Sequence, residues 1–218
     1  MISICTPSRG LIYSKTTESI IGGMQELNKY GIATSYVGSH DLPIPDCFNY
    51  VVEKCLQNTA VDKIIFIEED MYVFPDAFVK LATSEHPIAT LQYNDKNGSP
   101  HGIIHYNEIG EILWCGFGAT AIKREVFEKL DKPYFRADVR YKVVKRMRED
   151  GTRYVSHYEE LPLRSNHQYG GQDVDFYTRV RKLGYKIERI EGEMAHHFDL
   201  VQMGDRYTNN GVHVIKQV

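Results

Sequence analysis

The segment IIFIEED, residues 64–70, decides the fold. Its first four residues are continuously apolar, which is typical of a parallel strand that is covered on both faces. Its last three residues are carboxylates, which repel one another and lose hydration wherever they are partly buried. The segment therefore predicts a central strand whose carboxyl end carries charged side chains that need a cation.

Glu68 and Asp70 point the same way in an extended backbone, because side chains two residues apart share a face, whereas Glu69 points elsewhere. Carboxylate oxygens suit Mg²⁺ or Mn²⁺, and such ions keep positions open for substrate phosphates. A solvated acidic turn is the alternative. The apolar residues that precede the acids, and those that follow them as far as Pro75, favour the metal site.

Strands alternate with helices on both sides of this segment, which predicts an α/β fold with a mostly parallel central sheet and helices on both faces. Ligands bind such sheets at the carboxyl ends of the strands. Residues 131–168 have no clear period and are predicted to form a long loop with a helix inside. Strands are predicted at residues 2–5, 32–37, 64–67, 88–93, 102–106, 112–115, 185–190 and 193–198, and helices at residues 17–29, from a cap at Asp46 onward, at 123–130 and at 171–182.

The bulk composition is that of an ordinary globular protein. Of 218 residues, 42% are hydrophobic and 25% are charged, and this length predicts one domain. The net charge of −3, with Lys and Arg spread along the chain, gives no basic surface for nucleic acid. No apolar run approaches the roughly 20 residues of a spanning helix, so a soluble, cytoplasmic protein is expected. The cysteines lack CxxC spacing and are predicted to be buried thiols: Cys5, Cys47, Cys55 and Cys115.

A second acidic segment opens the helix predicted at residues 171–182. Gly171 and its neighbour Gly170 allow close approach of the backbone to a ligand, and Asp173 and Asp175 fall in the first turn. Either acid is also what simple helix capping requires. In the functional interpretation, Asp173 is a general base within hydrogen-bond reach of an acceptor hydroxyl.

Two neighbouring histidines, His196 and His197, lie on a strand predicted after Gly192. Because side chains alternate along a strand, at most one of the two rings is expected to reach a metal held by the carboxylates. A structural histidine is the alternative. The spacing HExxH of zinc hydrolases does not occur in the sequence.

These motifs stand in the order expected of GT-A glycosyltransferases, and the chain resembles a compact, bacterial or phage-like member related to family 2. The triplet at 68–70 resembles the DxD motif, with Glu in place of the first Asp. The segment WCGFG at 114–118, followed by AIKREVF at 121–127, resembles the glycine-rich acceptor-side segment and its short helix. The segment GQD at 171–173 resembles the xED motif, with Gln172 in place of Glu. His197 resembles the C-terminal metal histidine, and His196 is the less favoured choice.

The resemblance implies a nucleotide-sugar-binding half at about residues 1–95 and an acceptor-binding and catalytic half at about 96–218. Glu68, Asp70 and a histidine would hold Mn²⁺ or Mg²⁺, and Asp173 would be the base of an inverting transfer. The donor, by default a UDP-sugar, would meet Thr6, Pro7, Arg9, Asn49 and Glu69. The acceptor, a glycan, a protein or another molecule with a hydroxyl group, would meet Trp114, Gly116, Phe117 and Gly118.

Three other functions stay open at this point. A retaining transferase uses the same fold and metal. A nucleotidyltransferase shares the sheet and the acidic site, but normally has a glycine-rich first loop with Arg and Lys, whereas residues 6–10 contain one Gly and one Arg. In a non-catalytic nucleotide-sugar-binding module, Asp173 would be a helix cap. Core packing is likewise the alternative role for Trp114 and Phe117.

Overall fold

The computed structural model describes residues 1–93, 104–161, 171–192, 195–201 and 214–217. Strands and helices alternate through its first half, as the spacing of apolar residues predicts. The elements in chain order are β1 (Ile2–Thr6), α1 (Ser14–Lys29), β2 (Thr34–Gly38), α2 (Asp46–Gln57), β3 (Lys63–Ile67), β4 (Met71–Val73), α3 (Pro75–Thr83), β5 (Ile88–Leu91), β6 (Ile104–Tyr106), β7 (Ile112–Cys115), β8 (Ala119–Lys123), α4 (Arg124–Lys129), β9 (Arg140–Met147), β10 (Arg153–Leu161), α5 (Gln172–Lys182), β11 (Ile187–Ile190), β12 (Ala195–Val201) and β13 (Val214–Gln217).

The central sheet has six strands in the order β11-β5-β8-β3-β1-β2. β1 is parallel to both β2 and β3, β5 is parallel to β11, and β8 is antiparallel to both β3 and β5. Five strands therefore run in one direction and only β8 runs against them. This confirms the prediction of a mostly parallel α/β sheet.

Strand β3 is buried on both faces, which explains its continuous apolar sequence. Ile64 and Phe66 belong to one hydrophobic cluster, which also contains buried side chains of α2, α4 and α5. Ile65 and Ile67 belong to a second cluster on the other face, which contains buried side chains of α1 and α3. Helices therefore cover both faces of the sheet, as predicted.

Strand β8 follows the glycine-rich segment at 114–118 and was not among the predicted strands. Its sequence, ATAIK, contains two alanines, a residue that is depleted in strands. The pairing with β3 on one side and β5 on the other creates this strand, because both neighbours offer unpaired backbone groups. Tertiary pairing thus overrides a weak local preference.

The prediction of a loop with a helix inside for residues 131–168 is wrong. Strands β9 and β10 form an antiparallel hairpin there, with a register shift between Val155 and His157. The turn is closed by a 2.8 Å hydrogen bond from Arg148 N to the Thr152 carbonyl oxygen, and Gly151 has φ +82°. Few side chains of β9 are buried, so the hairpin lacks the alternation of apolar and polar residues that reveals a half-buried strand.

Asp46 does not cap α2, in contrast to the prediction. It is the first residue of the helix, and the N-cap position is occupied by Pro45, with no side-chain cap hydrogen bond. Asp46 still lies in the first turn, where a negative charge interacts favourably with the helix dipole. The sequence pattern therefore predicted the start of the helix to within one residue, and differences of this size are usual at helix boundaries.

A smaller sheet has three strands in the order β13-β12-β4. β12 pairs antiparallel with β4, which starts one residue after Asp70. β13 pairs antiparallel with β12, so at least residues 214–217 of the C-terminal segment are part of a sheet. The rest of the tail and residues 193–194 of the strand predicted at 193–198 lie outside the described residues, as do residues 102–103 of the strand predicted at 102–106.

All four cysteines are buried and free, as the sequence predicts. Throughout the described ranges, no helix is both long and apolar enough to cross a membrane.

Candidate active site

Four chain segments meet at the carboxyl edge of the central sheet. β1 ends at Thr6, β3 ends at Ile67 directly before the acidic triplet, and β5 ends at Leu91, two residues before Tyr93. β8 runs in the opposite direction, so its first residue, Ala119, lies at the same edge and faces Ile67 in the register. The edge that the sequence singled out therefore gathers side chains from the first loop, the triplet and the glycine-rich segment.

A cavity of about 290 Å³ opens at this edge. This volume is close to the lower end of the range for small-molecule sites. Most of its lining is polar or charged, and it brings together residues from seven separate parts of the chain: Pro7, Arg9, Ile44, Glu68, Glu69, Asp70, Tyr93, Gly116, Asp173 and His197. Eight of these residues were predicted to be site residues from the sequence; Ile44 and Tyr93 were not.

Asp70 and His197 form the closest pair of metal-ligating side chains in the cavity. Oδ2 of Asp70 lies 3.1 Å from Nε2 of His197. His197 is 8% exposed, and its other ring nitrogen, Nδ1, has no hydrogen-bond partner among the described residues. Of the two histidines, it is therefore His197 that reaches the acidic triplet. His196 instead packs its ring against Phe74, with 5.2 Å between the ring centroids.

Glu68 and Asp173 face each other across the cavity as an electrostatically unfavourable pair. Burial raises the pKa of Glu68 well above its ordinary value, and the charges of Asp173, Asp70 and Glu69 raise it further. Burial also raises the pKa of Asp173, to about 7. Oδ1 of Asp173 is buried and has no hydrogen-bond partner among the described residues. Such an unsatisfied carboxylate oxygen indicates a group that awaits a proton donor or a cation.

Glu69 holds the first loop in place. Its Oε2 accepts hydrogen bonds from Ser8 Oγ (2.7 Å) and Arg9 N (3.0 Å), and its Oε1 accepts two from the Arg9 guanidinium. The Glu69 carbonyl oxygen accepts bonds from Tyr13 N and Thr16 Oγ1. The chain leaves β3 in a turn at the triplet, so strand alternation does not set the direction of Glu69. Glu69 lines the cavity together with Glu68 and Asp70, and it also fixes the loop that carries Pro7 and Arg9 to the cavity.

Tyr93 forms part of the floor of the cavity and packs against Gly118, and the sequence did not lead us to predict its role. Gly118 N donates a 3.0 Å hydrogen bond to the Tyr93 hydroxyl oxygen, and Glu68 N donates to the Gly118 carbonyl oxygen. A Cβ atom at Gly118 would lie 2.6 Å from the Tyr93 ring, so only glycine fits there. The position of Tyr93 at the carboxyl end of the strand predicted at residues 88–93 was a usable signal, because ligands bind at this edge of such sheets.

The remaining predicted residues lie at or near the edge but outside the lining of the cavity. Thr6 is fully buried, and its Oγ1 has no described partner. Asn49 bonds the backbone of Phe135 through both amide atoms, at 2.9 and 3.0 Å. Phe117 is fully buried and stacks on Tyr177. Trp114 is 9% exposed, stacks on the His105 ring and donates its indole hydrogen to the Tyr158 hydroxyl.

The chemistry of Asp70 and His197 fits a divalent cation. Two neighbouring ligands of an octahedral ion at about 2.1 Å lie about 3 Å apart, which is close to the observed separation of 3.1 Å. Within the described part of the chain, no three His, Cys, Asp or Glu side chains already surround a common position. Mg²⁺-like ions do not need such a set, because substrate phosphates and water complete their coordination.

Comparison with solved structures identifies the fold. The A197 protein from STIV aligns over 94% of this chain and 91% of its own, with 19% identity and a TM-score of 0.55. A mutant Drosophila beta-1,4-galactosyltransferase 7, in complex with manganese, UDP-Gal and xylobiose, aligns over 96% of this chain and 73% of its own, with 12% identity and a TM-score of 0.52. No protein-family profile and no curated protein matches the sequence.

These alignments cover nearly the whole chain, so the likeness concerns the complete architecture. The protein has a GT-A-like, Rossmann-type α/β fold. At these identities the likeness defines the fold alone, and membership of family 2 stays a prediction.

Proposed function

We propose that the protein is a metal-dependent glycosyltransferase that moves a sugar from a nucleoside-diphosphate donor to the hydroxyl group of an acceptor. One observation carries the proposal. A buried carboxylate with an unpartnered oxygen, Asp173, shares a small cavity with the Asp70–His197 pair, whose atoms are spaced as two ligands of one cation. The complex of a structurally similar galactosyltransferase with manganese and UDP-Gal supports manganese and UDP as the first cofactor and nucleotide to test.

In this proposal, Asp70 and His197 hold the cation, and Glu68 contributes a second carboxylate beside them. A divalent ion bound there supplies charge neutralisation for the departing diphosphate. Pro7, Arg9 and the loop fixed by Glu69 form the donor side of the cavity, and the Arg9 guanidinium is 63% exposed and within reach of an anionic ligand. In this proposal, the phosphate-binding groups lie on one side of the cavity and Asp173 on the other.

Asp173 is the general base of the reaction. The acceptor oxygen forms a bond to the anomeric carbon, the bond between that carbon and the diphosphate oxygen breaks, and Asp173 takes the hydroxyl proton. The raised pKa of Asp173 suits this role. A base with a pKa near the working pH is deprotonated in a large fraction of molecules and still accepts a proton readily. Attack on the face opposite the leaving group inverts the anomeric configuration. Gly116, which also lines the cavity, leaves room for the acceptor because it has no side chain.

The proposal is tested in two stages. Thermal shifts with UDP, GDP, CMP and TDP, each with and without Mn²⁺, identify the nucleotide, because a ligand that binds only the folded state raises its stability. UDP-sugars are then incubated with the protein, and nucleoside diphosphate release and the anomeric configuration of the product are measured by NMR. We expect a Mn²⁺-dependent nucleotide shift and an inverted product, both lost when Asp70 is replaced by Asn.

Each competing function has its own signature in these experiments. Full activity in the presence of a chelator contradicts the metal-dependent mechanism. Release of pyrophosphate from a nucleoside triphosphate and a sugar phosphate identifies a nucleotidyltransferase instead. A product with retained configuration removes the base role from Asp173. Donor binding without turnover, unchanged in Asp173→Asn, identifies a binding module.

A further inference from the structure

The first turn of α5 carries two carboxylates with opposite surroundings. Asp173 lines the cavity, and its Oδ1 has no partner among the described residues. Asp175 is fully buried and has several partners. Residues two apart on an α-helix point about 200° apart, so one helical turn presents one acid to the cavity and the other to the protein interior. The mechanism proposed above uses only Asp173.

Asp175 is bound by two residues of the segment that leads into the β9–β10 hairpin. Arg136 Nε lies 3.1 Å from both carboxylate oxygens of Asp175, and a second guanidinium nitrogen of Arg136 donates a hydrogen bond of 2.5 Å to Oδ1. The hydroxyl of Tyr141, on β9, donates a 2.8 Å hydrogen bond to the same oxygen. Arg179, one turn further along α5, lies 3.5 Å from Oδ2. A buried acid with this many charge-assisted bonds has a single allowed position.

The buried side chains of Val174 and Phe176 anchor the start of α5 in the core. Among the described residues no side chain caps the helix, and no atom lies within 4 Å of where a Cβ of its N-cap residue, Gly171, would be. The contacts of Asp175 attach the first turn to Arg136 and Tyr141 on the side away from the cavity.

We infer that Asp175 is a positioning residue, which through its bonds to Arg136 and Tyr141 holds the first turn of α5 so that the Asp173 carboxylate stays aimed into the cavity. The inference rests on the proposed function, since it assigns to Asp175 a part in the same reaction. It also gives the β9–β10 hairpin a role, because β9, the first strand of the hairpin, carries Tyr141, one of the two partners of Asp175.

The alternative is a purely structural role for Asp175, in which its replacement lowers the stability of the fold without acting through Asp173. Removing one partner of a buried ion pair destabilises a protein wherever the pair lies. Stability loss alone therefore does not separate the two roles. Arg124 provides the matched control. Its guanidinium donates hydrogen bonds to the carbonyl oxygens of Leu56, Asn58 and Val61. Arg124 directly follows β8, at the end of that strand that is remote from the cavity.

The experiment compares Asp175→Asn, Tyr141→Phe and Arg124→Gln with the unchanged protein. For each, we would measure Tm, the Kd of UDP with Mn²⁺, kcat at saturating donor, and amide hydrogen exchange across residues 172–175. Tyr141→Phe removes a single hydrogen bond and keeps the ring, so it remains informative if Asp175→Asn folds poorly. All variants are used as the full chain at a temperature where circular dichroism shows them folded.

We expect Asp175→Asn and Tyr141→Phe to lower kcat roughly 10- to 100-fold, since a displacement of about 1 Å at a reacting group costs this much. Their Kd for UDP with Mn²⁺ should change less than about twofold, because the donor side is untouched. Arg124→Gln should lower Tm and leave kcat unchanged. The inference is overturned if kcat follows Tm across all three variants, or if Kd weakens as much as kcat falls.

Failure of the proposed function is distinguishable from failure of this inference. If the unchanged protein transfers no sugar from any donor, the proposed function fails, and the exchange measurement still reports on Asp175. Faster exchange at residues 172–175 in Asp175→Asn than in Arg124→Gln means that Asp175 holds the first turn. Equal exchange in the two variants overturns the inference whatever the activity.

Discussion

Oδ2 of Asp70 lies 3.1 Å from Nε2 of His197, although 127 positions separate the two residues in the chain. The contact arises because β12 pairs antiparallel with β4, which places His197 opposite Met71, the residue directly after Asp70. A late strand thereby brings an imidazole nitrogen to the end of the acidic triplet. A carboxylate oxygen and an imidazole nitrogen at this spacing can both be ligands of one divalent cation.

The first prediction concerns this donor pair. Mn²⁺ should raise the Tm of the unchanged protein, by an amount that corresponds to about 2.7 kcal/mol at a concentration one hundred times Kd. Asp70→Asn and His197→Gln should each remove most of this shift, because each leaves one donor where two were available. Differential scanning fluorimetry with a Mn²⁺ titration measures the effect.

Asp76→Asn serves as the matched control for the metal experiment. Asp76 is an exposed acid in the first turn of α3, a few residues from Asp70, and it does not line the cavity. Its replacement should leave the Mn²⁺ shift intact. An undiminished shift in both Asp70→Asn and His197→Gln would place the cation elsewhere.

The second prediction concerns the pH dependence of stability without metal. Burial raises the pKa of Asp173 from an ordinary 3.8 to about 7, so the folded state binds this proton more tightly than the unfolded state does. The contribution of Asp173 to the free energy of unfolding is therefore fully present below about pH 4 and is lost as the pH rises to about 7. In chelator, Asp173→Asn should be more stable than the unchanged protein at pH 8, by on the order of a few kcal/mol.

Urea unfolding at pH 4.5, 6 and 8 with a chelator measures this dependence. The advantage of Asp173→Asn should shrink towards the lowest pH, where the natural aspartic acid is itself neutral. Asp76→Asn, at an exposed position, should show no such trend. A constant difference across the three pH values would mean that Asp173 does not titrate in this range.

Much of the architecture was predictable, because its signals are local. The apolar run of β3 and the helical spacing in α1 follow directly from burial on two faces and on one face, respectively. The hairpin β9–β10 was not predictable in this way. Its strands bury few side chains, and buried and exposed residues do not alternate along them, so the pairing that forms the hairpin leaves no periodic pattern in the sequence.

The site residues also divide into those with a local sequence signal and those without one. Glu68, Asp70 and Asp173 could be found because carboxylates at the end of a buried strand or the start of a helix are costly without a partner. The choice of His197 over His196 depends on the register between β12 and β4, which the sequence does not specify. The placement of Phe117 in the core depends on its packing against Tyr177 and its aromatic neighbours, and a glycine-flanked aromatic residue is compatible with either location.

The third prediction concerns the floor of the cavity. Gly118→Ala should destabilise the fold by about 1–3 kcal/mol, because the new Cβ would lie 2.6 Å from the Tyr93 ring and 3.0 Å from the Met71 sulfur. Gly22→Ala is the control, since its Cβ would lie 3.5 Å from Pro75 and α1 gains a better helix former. Chemical denaturation should show a loss for the first variant and no loss for the second. Equal stability of both would mean that Tyr93 moves aside freely.

The fourth prediction separates the donor side of the cavity from the base. Glu69 fixes Ser8 and Arg9 through hydrogen bonds of 2.7 to 3.0 Å, so Glu69→Gln should free the first loop, which lines the cavity with Pro7 and Arg9. The KM for the donor should rise roughly tenfold, equivalent to about 1.4 kcal/mol of binding, while kcat changes less. Steady-state kinetics with varied donor measure both.

Glu18→Gln is the comparison for this variant, because Glu18 forms an exposed ion pair with Lys15 on the helix that follows the same loop. Exposed ion pairs contribute little, so its kinetic constants should stay unchanged. A fall in kcat at constant KM in Glu69→Gln would instead show that the first loop acts on the chemical step. The donor would then have to be bound mainly by residues other than Pro7 and Arg9, and the triplet would act as one electrostatic unit rather than as two ligands and a loop anchor.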